Sequence, residues 1–124
     1  MPLLTKEQIL AAEDLDFEEV EIKEWGGKVR LRCMTGTERD AFESAIYKIK
    51  GDKVEANREN FRSELLSRVL CNKDNKLLFN PREVKALGGK SGRVIDRLFD
   101  IAQKINGIGQ SDIEEMTKNS ESEA

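Results

Sequence analysis

The chain has 124 residues, of which 38% are hydrophobic and 36% charged, and its formal net charge is −3. This length suits one domain with a single core, and the composition favours a water-soluble globular protein. No apolar run could cross a bilayer, the N-terminus lacks the order of a signal peptide, and charges of both signs are interspersed. These features argue against a membrane span, export and a nucleic-acid-binding surface.

The first predicted element is a short helix that begins at Thr5. A threonine with Gln or Glu three residues later can satisfy two free amide groups at a helix start. The same pattern, with threonine or serine, predicts further helix starts at Thr35 and Ser111. A fourth start is predicted at Asn80, because Pro81 then occupies the first helical position, where its missing N–H costs nothing.

A β-hairpin is predicted next, with Gly26-Gly27 as a two-residue turn, because glycine reaches the positive φ angles that such turns require. With this turn, Ile22 pairs with Leu31 and Trp25 pairs with Lys28. One face of the hairpin is then mostly apolar and the other is charged. Trp25, the only tryptophan of the chain, falls on the charged and solvated face beside the turn.

The charged face of the hairpin is the predicted partner-binding surface. Two interpretations of Trp25 are open: its indole covers the stem of Lys28 or the end of the core, or it anchors a partner protein, since tryptophan is enriched at interfaces. Arg30 and Arg32 extend a basic strip, for which cross-strand charge pairing is favoured over nucleic-acid binding. The candidate partner-binding residues are Trp25, Lys28, Arg30 and Arg32.

Three longer amphipathic helices are predicted over Thr35–Lys50, Asn57–Asn72 and Ser91–Asn106, because their apolar residues recur at three- and four-residue steps. Gly107 follows the last of them as its C-cap. Between the second and third helices, Leu77–Phe79 is either a brief strand or a packed connector. The predicted core takes its large side chains from the three helices: Phe42, Leu65, Leu66, Leu98 and Phe99.

Together these elements predict an α+β fold, with one N-terminal β-hairpin packed against a mainly helical bundle of three to four helices. The helices must cover the hairpin, because an isolated hairpin is marginally stable in water. Residues 1–117 form the predicted single domain. Residues 118–124 are small and polar and are predicted to be a disordered tail.

The sequence predicts no catalytic, cofactor-binding or metal-binding residues. The chain has no histidine, which is the commonest general base and the commonest metal ligand. Cys33 and Cys71 lie far apart, on a predicted strand and a predicted helix. They are expected to be small buried side chains instead of redox or metal-binding thiols.

Residues 88–91, with the sequence GGKS, resemble the end of a phosphate-binding loop. That motif needs another glycine at position 84, which is Val84 in this chain, and it needs a buried strand before it. A helix C-cap at Gly88 followed by a new N-cap at Ser91 explains the segment without a nucleotide.

Five segments share their order and spacing with a known protein family. They are PLLTKEQILAAEDL (2–15), WGGKVRLR (25–32), MTGTERDAFE (34–43), LLFNPREVKALGGKSGRVIDRLFDIAQKINGI (77–108) and IEEMTKNS (113–120). With these segments the chain resembles a tail assembly chaperone of long-tailed (siphovirus-type) bacteriophages and prophages. The resemblance spans nearly the whole chain and depends on the order of the segments, because no single one is diagnostic.

The resemblance implies a non-catalytic protein without a cofactor, which acts in the host cytoplasm and is absent from the mature virion. Its implied partners are the tape measure protein, which it would keep soluble, and the tail tube protein, with no nucleic acid or membrane partner. Two alternatives are open. One is a structural head–tail connector or tail terminator subunit, which would persist in the virion, and the other is a small DNA-binding regulator.

Overall fold

A computed structural model describes residues 1–50, 52–56 and 59–108, without the side chains of 48–50 and 53–56. Its helices are α1 (Lys6–Ala11), α2 (Gly36–Ile46), α3 (Phe61–Ser67), α4 (Val84–Gly88) and α5 (Gly92–Ile105). Its strands are β1 (Phe17–Ile22), β2 (Gly27–Arg32), β3 (Tyr47–Lys50), β4 (Lys53–Ala56) and β5 (Leu70–Cys71). Two 3-10 turns cover Lys23–Trp25 and Pro81–Glu83.

The predicted α+β fold, with an N-terminal hairpin packed on helices, is confirmed. Strands β1, β2 and β5 form an antiparallel sheet with β2 in the centre, and β3 and β4 form a separate antiparallel hairpin. Helix α5 packs against β1 and β2, and α3 packs against α2, α4 and α5. The buried residues of the sheet and the helices therefore meet in one hydrophobic core.

Side-chain caps fix three of the helix starts that the sequence predicts. The hydroxyl oxygens of Thr5 and Thr35 each accept a hydrogen bond from the backbone N–H three residues on, and the Gln or Glu there accepts one in return. Asn80 caps the 3-10 turn that leads into α4: its Oδ1 accepts from the N–H of Arg82 at 2.9 Å, and its own N–H donates to Oε1 of Glu83 at 3.0 Å. The start predicted at Ser111 lies outside the described residues, as does the tail predicted over 118–124.

The register of the hairpin was predicted wrongly, because its turn is longer than Gly26-Gly27. Residues Lys23–Trp25 form a 3-10 turn, Gly26 has a φ of 74°, and Gly27 already belongs to β2. Ile22 consequently pairs with Gly27, four positions away from the expected Leu31. A shift by an even number of residues keeps each strand side chain on its expected face, so Ile22 and Leu31 are both buried.

Two of the three long helices are shorter than predicted, because their C-terminal apolar residues form strands. Helix α2 ends at Ile46, and Tyr47–Lys50 continues as β3, which pairs with β4. Helix α3 ends at Ser67, and Leu70-Cys71 forms β5 beside β2. Periodicity does not distinguish a short apolar strand from the last turn of a buried helix, and this ambiguity explains both errors.

Helix α5 agrees with its predicted range to within one residue at each end. Gly107 follows it with a φ of 65°, and its N–H donates to the carbonyl of Lys104 at 3.2 Å. The N–H of Ile108 donates to the carbonyl of Gln103 at 2.8 Å, which completes a Schellman motif. Because Ile108 is buried, the turn that ends the helix also adds to the core.

Gly88 is the last residue of α4 and not the residue that caps it, which is Gly89. A Cβ on Gly88 would lie 2.6 Å from Oδ1 of Asn60 and 3.1 Å from Oγ of Ser63. Any larger residue at this position would therefore force the side chains of Asn60 and Ser63 to move. Ser91 precedes α5 as expected, although its side chain makes no capping hydrogen bond.

The large side chains predicted for the core are all buried: Phe42, Leu65, Leu66, Leu98 and Phe99. The ring of Phe61 packs edge-on against Phe42 and Phe99, with 5.8 Å between the ring centroids in each case. This aromatic cluster joins α2, α3 and α5.

Both cysteines are free thiols. Cys71 is buried on β5, so its assignment to a helix was wrong, and Cys33 is only half-buried just after β2. Leu77 forms an isolated bridge with Cys71, Leu78 is exposed, and Phe79 packs against the core. Leu77–Phe79 is therefore mainly a packed connector.

Candidate partner-binding surface

Trp25 lies in the hairpin turn and is partly buried against the hydrophobic core. Its predicted position on the charged face was wrong, because the 3-10 turn removes it from the alternation of the strands. The neighbouring Glu24 forms an ion pair with Arg97 of α5, which ties the turn to that helix. Of the two interpretations of Trp25, this position favours an indole that covers the end of the core.

Arg30 is held by neighbours within its own chain. Its Nε and Nη2 donate to Oε2 of Glu19 at 3.0 and 2.8 Å, across the β1–β2 pair. Its Nη1 donates to the carbonyl of Lys73 and to Oδ1 of Asn75, both at 3.0 Å, and its Cζ lies 4.0 Å from the ring centroid of Phe17. The cross-strand charge pairing predicted for this residue is confirmed, with Glu19 as the partner.

Arg32 is only 5% exposed and links three segments. Its Nη1 and Nη2 donate to the two carboxylate oxygens of Glu38 at 2.8 and 2.9 Å, in a bidentate pair with the first turn of α2. Its Nε donates to the carbonyl of Asn75 at 2.8 Å, and Nη1 also donates to the carbonyl of Cys33 at 2.9 Å. All three nitrogen atoms of the guanidinium group thus donate hydrogen bonds within the chain.

The electrostatics of this pair agree with its geometry. The hydrogen bonds to Glu38 raise the pKa of Arg32, and they outweigh burial, which lowers it. Burial raises the pKa of the Glu38 carboxyl, but hydrogen bonds from Arg32 and Thr35 outweigh it and hold that pKa below its ordinary value. Both groups are therefore stabilised in their charged forms.

Lys28 is the one candidate residue of the four that is exposed. The side chain of Trp25 is only partly exposed, and those of Arg30 and Arg32 are held by hydrogen bonds and ion pairs. Partner binding by these four residues stays a prediction. The structure gives three of them a role in the fold itself.

Four apolar side chains near the N-terminus are mostly exposed, and we name them the N-terminal patch. Their exposed fractions are 96%, 67%, 58% and 78%, for Leu3, Leu4, Ile9 and Leu10 in that order. No residue of α1 is buried. The patch therefore flanks the Thr5 cap on both sides without contributing to the core, and exposed apolar surface of this kind is typical of interaction sites.

An open groove of about 600 Å³ begins where α1 ends, and we name it the acidic groove. It is lined by residues 12–17 and Asn75, and Phe17 at its edge is half-exposed. The side chains of Glu13, Asp14 and Asp16 are exposed and form no ion pair with any described residue. An apolar patch and an uncompensated negative surface thus follow each other along the chain.

The N-terminal patch and the acidic groove were not predicted from the sequence as a binding surface, although their residues are visible in it. Leu3-Leu4 and Ile9-Leu10 flank the Thr5 cap, and an acidic stretch follows over 13–21. An amphipathic helix normally buries its apolar side, and only the structure shows that α1 does not.

Within the described residues, no helix is long enough and apolar enough to cross a membrane. In the same part of the chain, no set of three or more Cys, Asp or Glu side chains is arranged to hold a metal ion.

The comparisons with known proteins agree with the fold. A family model described as phage tail assembly chaperone matches residues 5–119. The structure of the bacteriophage HK97 tail assembly chaperone is similar, with a TM-score of 0.57 and 24% sequence identity over 80% of this chain and 90% of that chain. No curated protein matches at a significant level. Because the family model covers nearly the whole chain, this protein belongs to the phage tail assembly chaperone family.

Proposed function

We propose that this protein binds the tape measure protein of its phage and keeps it soluble while tail tube subunits assemble around it. Family membership gives a role in tail assembly. The observation that supports this particular partner is the N-terminal patch, which leaves apolar side chains exposed on an otherwise highly charged small domain. A chaperone needs such a surface to cover the apolar side of its client.

The proposed role requires binding and release, without catalysis or a cofactor. In this proposal the chaperone covers the apolar surface of the tape measure protein until the tube encloses it. The charged remainder of the chaperone keeps the complex in solution. The complex would form in the cytoplasm of the infected host, and the chaperone would leave before the virion is complete.

Co-expression with the tape measure protein of the same phage tests this function. We expect that the tape measure protein is mostly insoluble alone and becomes soluble with the tagged chaperone, with which it co-purifies. The matched control is the core variant Leu98→Asp, which places a charge in a fully buried position and should not fold. Equal insolubility with and without the chaperone, and no co-purification, would contradict the proposal.

A further inference from the structure

We propose that the N-terminal patch and the acidic groove together form the docking surface for a basic amphipathic helix of the client protein. This inference rests on the proposed function, since it specifies which surface of the chaperone the client occupies. It also specifies the chemistry of the client segment: an apolar stripe flanked by lysine and arginine.

The first support is that α1 is poorly stabilised by its own chain. Isolated helices shorter than about 12–15 residues are marginal in water, and most helices gain their stability by packing an apolar face. Helix α1 has six residues, none of them buried. Its capping box fixes its start, and Leu4 and Ile9 occupy the positions of a hydrophobic staple, yet both stay exposed. A partner helix would supply the missing packing.

The second support is charge, which selects the kind of helix. Over residues 6–17, which include α1 and most of the groove lining, the sequence has four carboxylates and one lysine: Glu7, Glu13, Asp14 and Asp16 against Lys6. None of the four carboxylates forms an ion pair with a described residue. A client helix with lysine and arginine beside its apolar stripe would therefore be attracted, and an acidic one repelled.

Charge also argues against two other occupants. The segment 109–124 of this chain carries Asp112, Glu114, Glu115, Glu121 and Glu123 against Lys118, so it would meet the acidic groove with like charge. A second copy that pairs through the same surface in a two-fold arrangement would also bring two acidic grooves together. In addition, a patch of four side chains is small beside the roughly 1,600 Å² of a standard stable interface.

The small size of the surface suits reversible binding. A chaperone that leaves the finished assembly must release its client, and a few apolar contacts supported by screened charges give a fast dissociation rate. We therefore expect the interaction to weaken as salt is added, because the charges of the groove are exposed.

Two model peptides of about 18 residues, or five helical turns, test the chemistry directly. They share one leucine pattern, and their polar positions carry lysine in one peptide and glutamate in the other. Binding to the full-length protein is measured by fluorescence anisotropy at low and high salt. We expect the lysine peptide to bind and the glutamate peptide not to bind. Equal binding of both peptides, or no binding of the lysine peptide, would overturn the inference.

Matched variants of the full-length protein test the location. Ile9→Ala with Leu10→Ala removes apolar surface from α1 and keeps helix-forming residues there. Its control is Leu78→Ala, at a leucine that is 52% exposed elsewhere. Glu13→Gln with Asp14→Asn and Asp16→Asn neutralises the groove. Its control neutralises three exposed carboxylates outside the groove lining: Asp52→Asn, Glu59→Gln and Asp100→Asn.

We expect both patch and groove variants to weaken binding of the lysine peptide by roughly tenfold or more, and both controls to leave it nearly unchanged. Unfolding by urea checks that all variants are folded. If the controls weaken binding as much as the variants do, the peptide responds to general charge and apolarity, and the inference is wrong.

The same variants in the tape measure co-purification separate this inference from the proposed function. If the parent and the patch variants capture the tape measure protein equally well, the function stands and the docking surface lies elsewhere. If the parent binds the lysine peptide but no tape measure protein, the proposed function fails. If the patch variants change only the oligomeric state measured by light scattering, the patch contacts a second copy and the inference is overturned.

Discussion

Arg32 shows how a residue on a predicted outer face can belong to the interior. Strand alternation places it on the charged side of the hairpin, and this side is covered locally by the first turn of α2 and by the turn over 72–76. The bidentate pair with Glu38 compensates the buried charge, and the carbonyls of Cys33 and Asn75 accept two of the three remaining N–H groups.

Replacement of Arg32 by alanine should therefore cost about 2–3 kcal/mol of unfolding free energy, because several charge-assisted hydrogen bonds are lost at a buried site. Urea unfolding measures this cost. The matched control is Arg39→Ala, which breaks the exposed pair with Glu43 and should cost less than about 1 kcal/mol. If the two variants lose equal stability, the Arg32 pair contributes no more than a surface ion pair does.

Glu38 should make stability depend on pH on the acidic side. Its folded-state pKa lies below the ordinary value of 4.5, so its contribution is fully present above that value and is lost as the pH falls through the folded pKa. We expect Glu38→Gln to have a shallower decline of unfolding free energy below pH 4.5 than the parent. Glu43→Gln, at an exposed pair, is the control and should follow the parent curve. Parallel curves for Glu38→Gln and the parent would contradict this assignment.

Trp25 should contribute to stability, since its indole packs against the core. We expect Trp25→Ala to lower the unfolding free energy by about 1–3 kcal/mol, less than a fully buried tryptophan would cost. While folded, this variant should still bind the client, because the docking surface proposed above does not include the turn. Unchanged stability with weakened binding would instead return the partner-binding surface to the hairpin turn.

At the scale of elements, the close approach of α4 to α3 makes Gly88 and Gly92 a matched pair for mutagenesis. An alanine Cβ at Gly88 would require the side-chain ends of Asn60 and Ser63 to shift, whereas one at Gly92 would meet nothing within 4 Å. We expect Gly88→Ala to destabilise the protein by about 1 kcal/mol, the low end of the cost of overpacking, because side chains can move without the backbone. Gly92→Ala should be neutral or gain up to about 1 kcal/mol, because alanine is the better helix former. Equal effects on the melting temperature would argue against close α3–α4 packing.

Elements with their own chemical signals were predicted well from the sequence. Capping residues located the starts at Thr5, Thr35 and Asn80, and a long apolar stripe with Gly107 located α5. The turn at Gly26 was predicted wrongly, because the adjacent Gly27 suggested a two-residue loop. The observed 3-10 turn includes Trp25, whose side chain packs against the core. Such tertiary contacts override local propensity and are not visible in the sequence.

The candidate site was harder to predict than the fold, for a related reason. Charged strand residues were visible as a set, but whether Arg30 and Arg32 face solvent or a neighbouring loop depends on the turn over 72–76, which is distant in sequence. Conversely, α1 has the pattern of a packed helix and is exposed. Exposure is a property of the whole fold, so a partner surface can be proposed from the sequence but not located there.

At the scale of the whole molecule, the N-terminal patch is separate from the residues that stabilise the domain. The core and the arginine network stabilise the domain, whereas α1 contributes no buried residue, and the acidic groove meets that network only at Phe17 and Asn75. This separation lets the binding surface be altered without unfolding the protein. It also suits a transient interaction, because the docking surface of the chaperone must be accessible before binding and after release.

The most direct test of the account is co-purification of the tape measure protein with three full-length chaperones at equal expression: the parent, Ile9→Ala with Leu10→Ala, and Leu78→Ala. We expect the parent and Leu78→Ala to keep the tape measure protein soluble and bound. The double variant should lose most of it, although its melting temperature matches that of the parent, because the exposed Ile9 and Leu10 add nothing to the core. Equal recovery of the tape measure protein with all three chaperones, or none with the parent, would contradict the account.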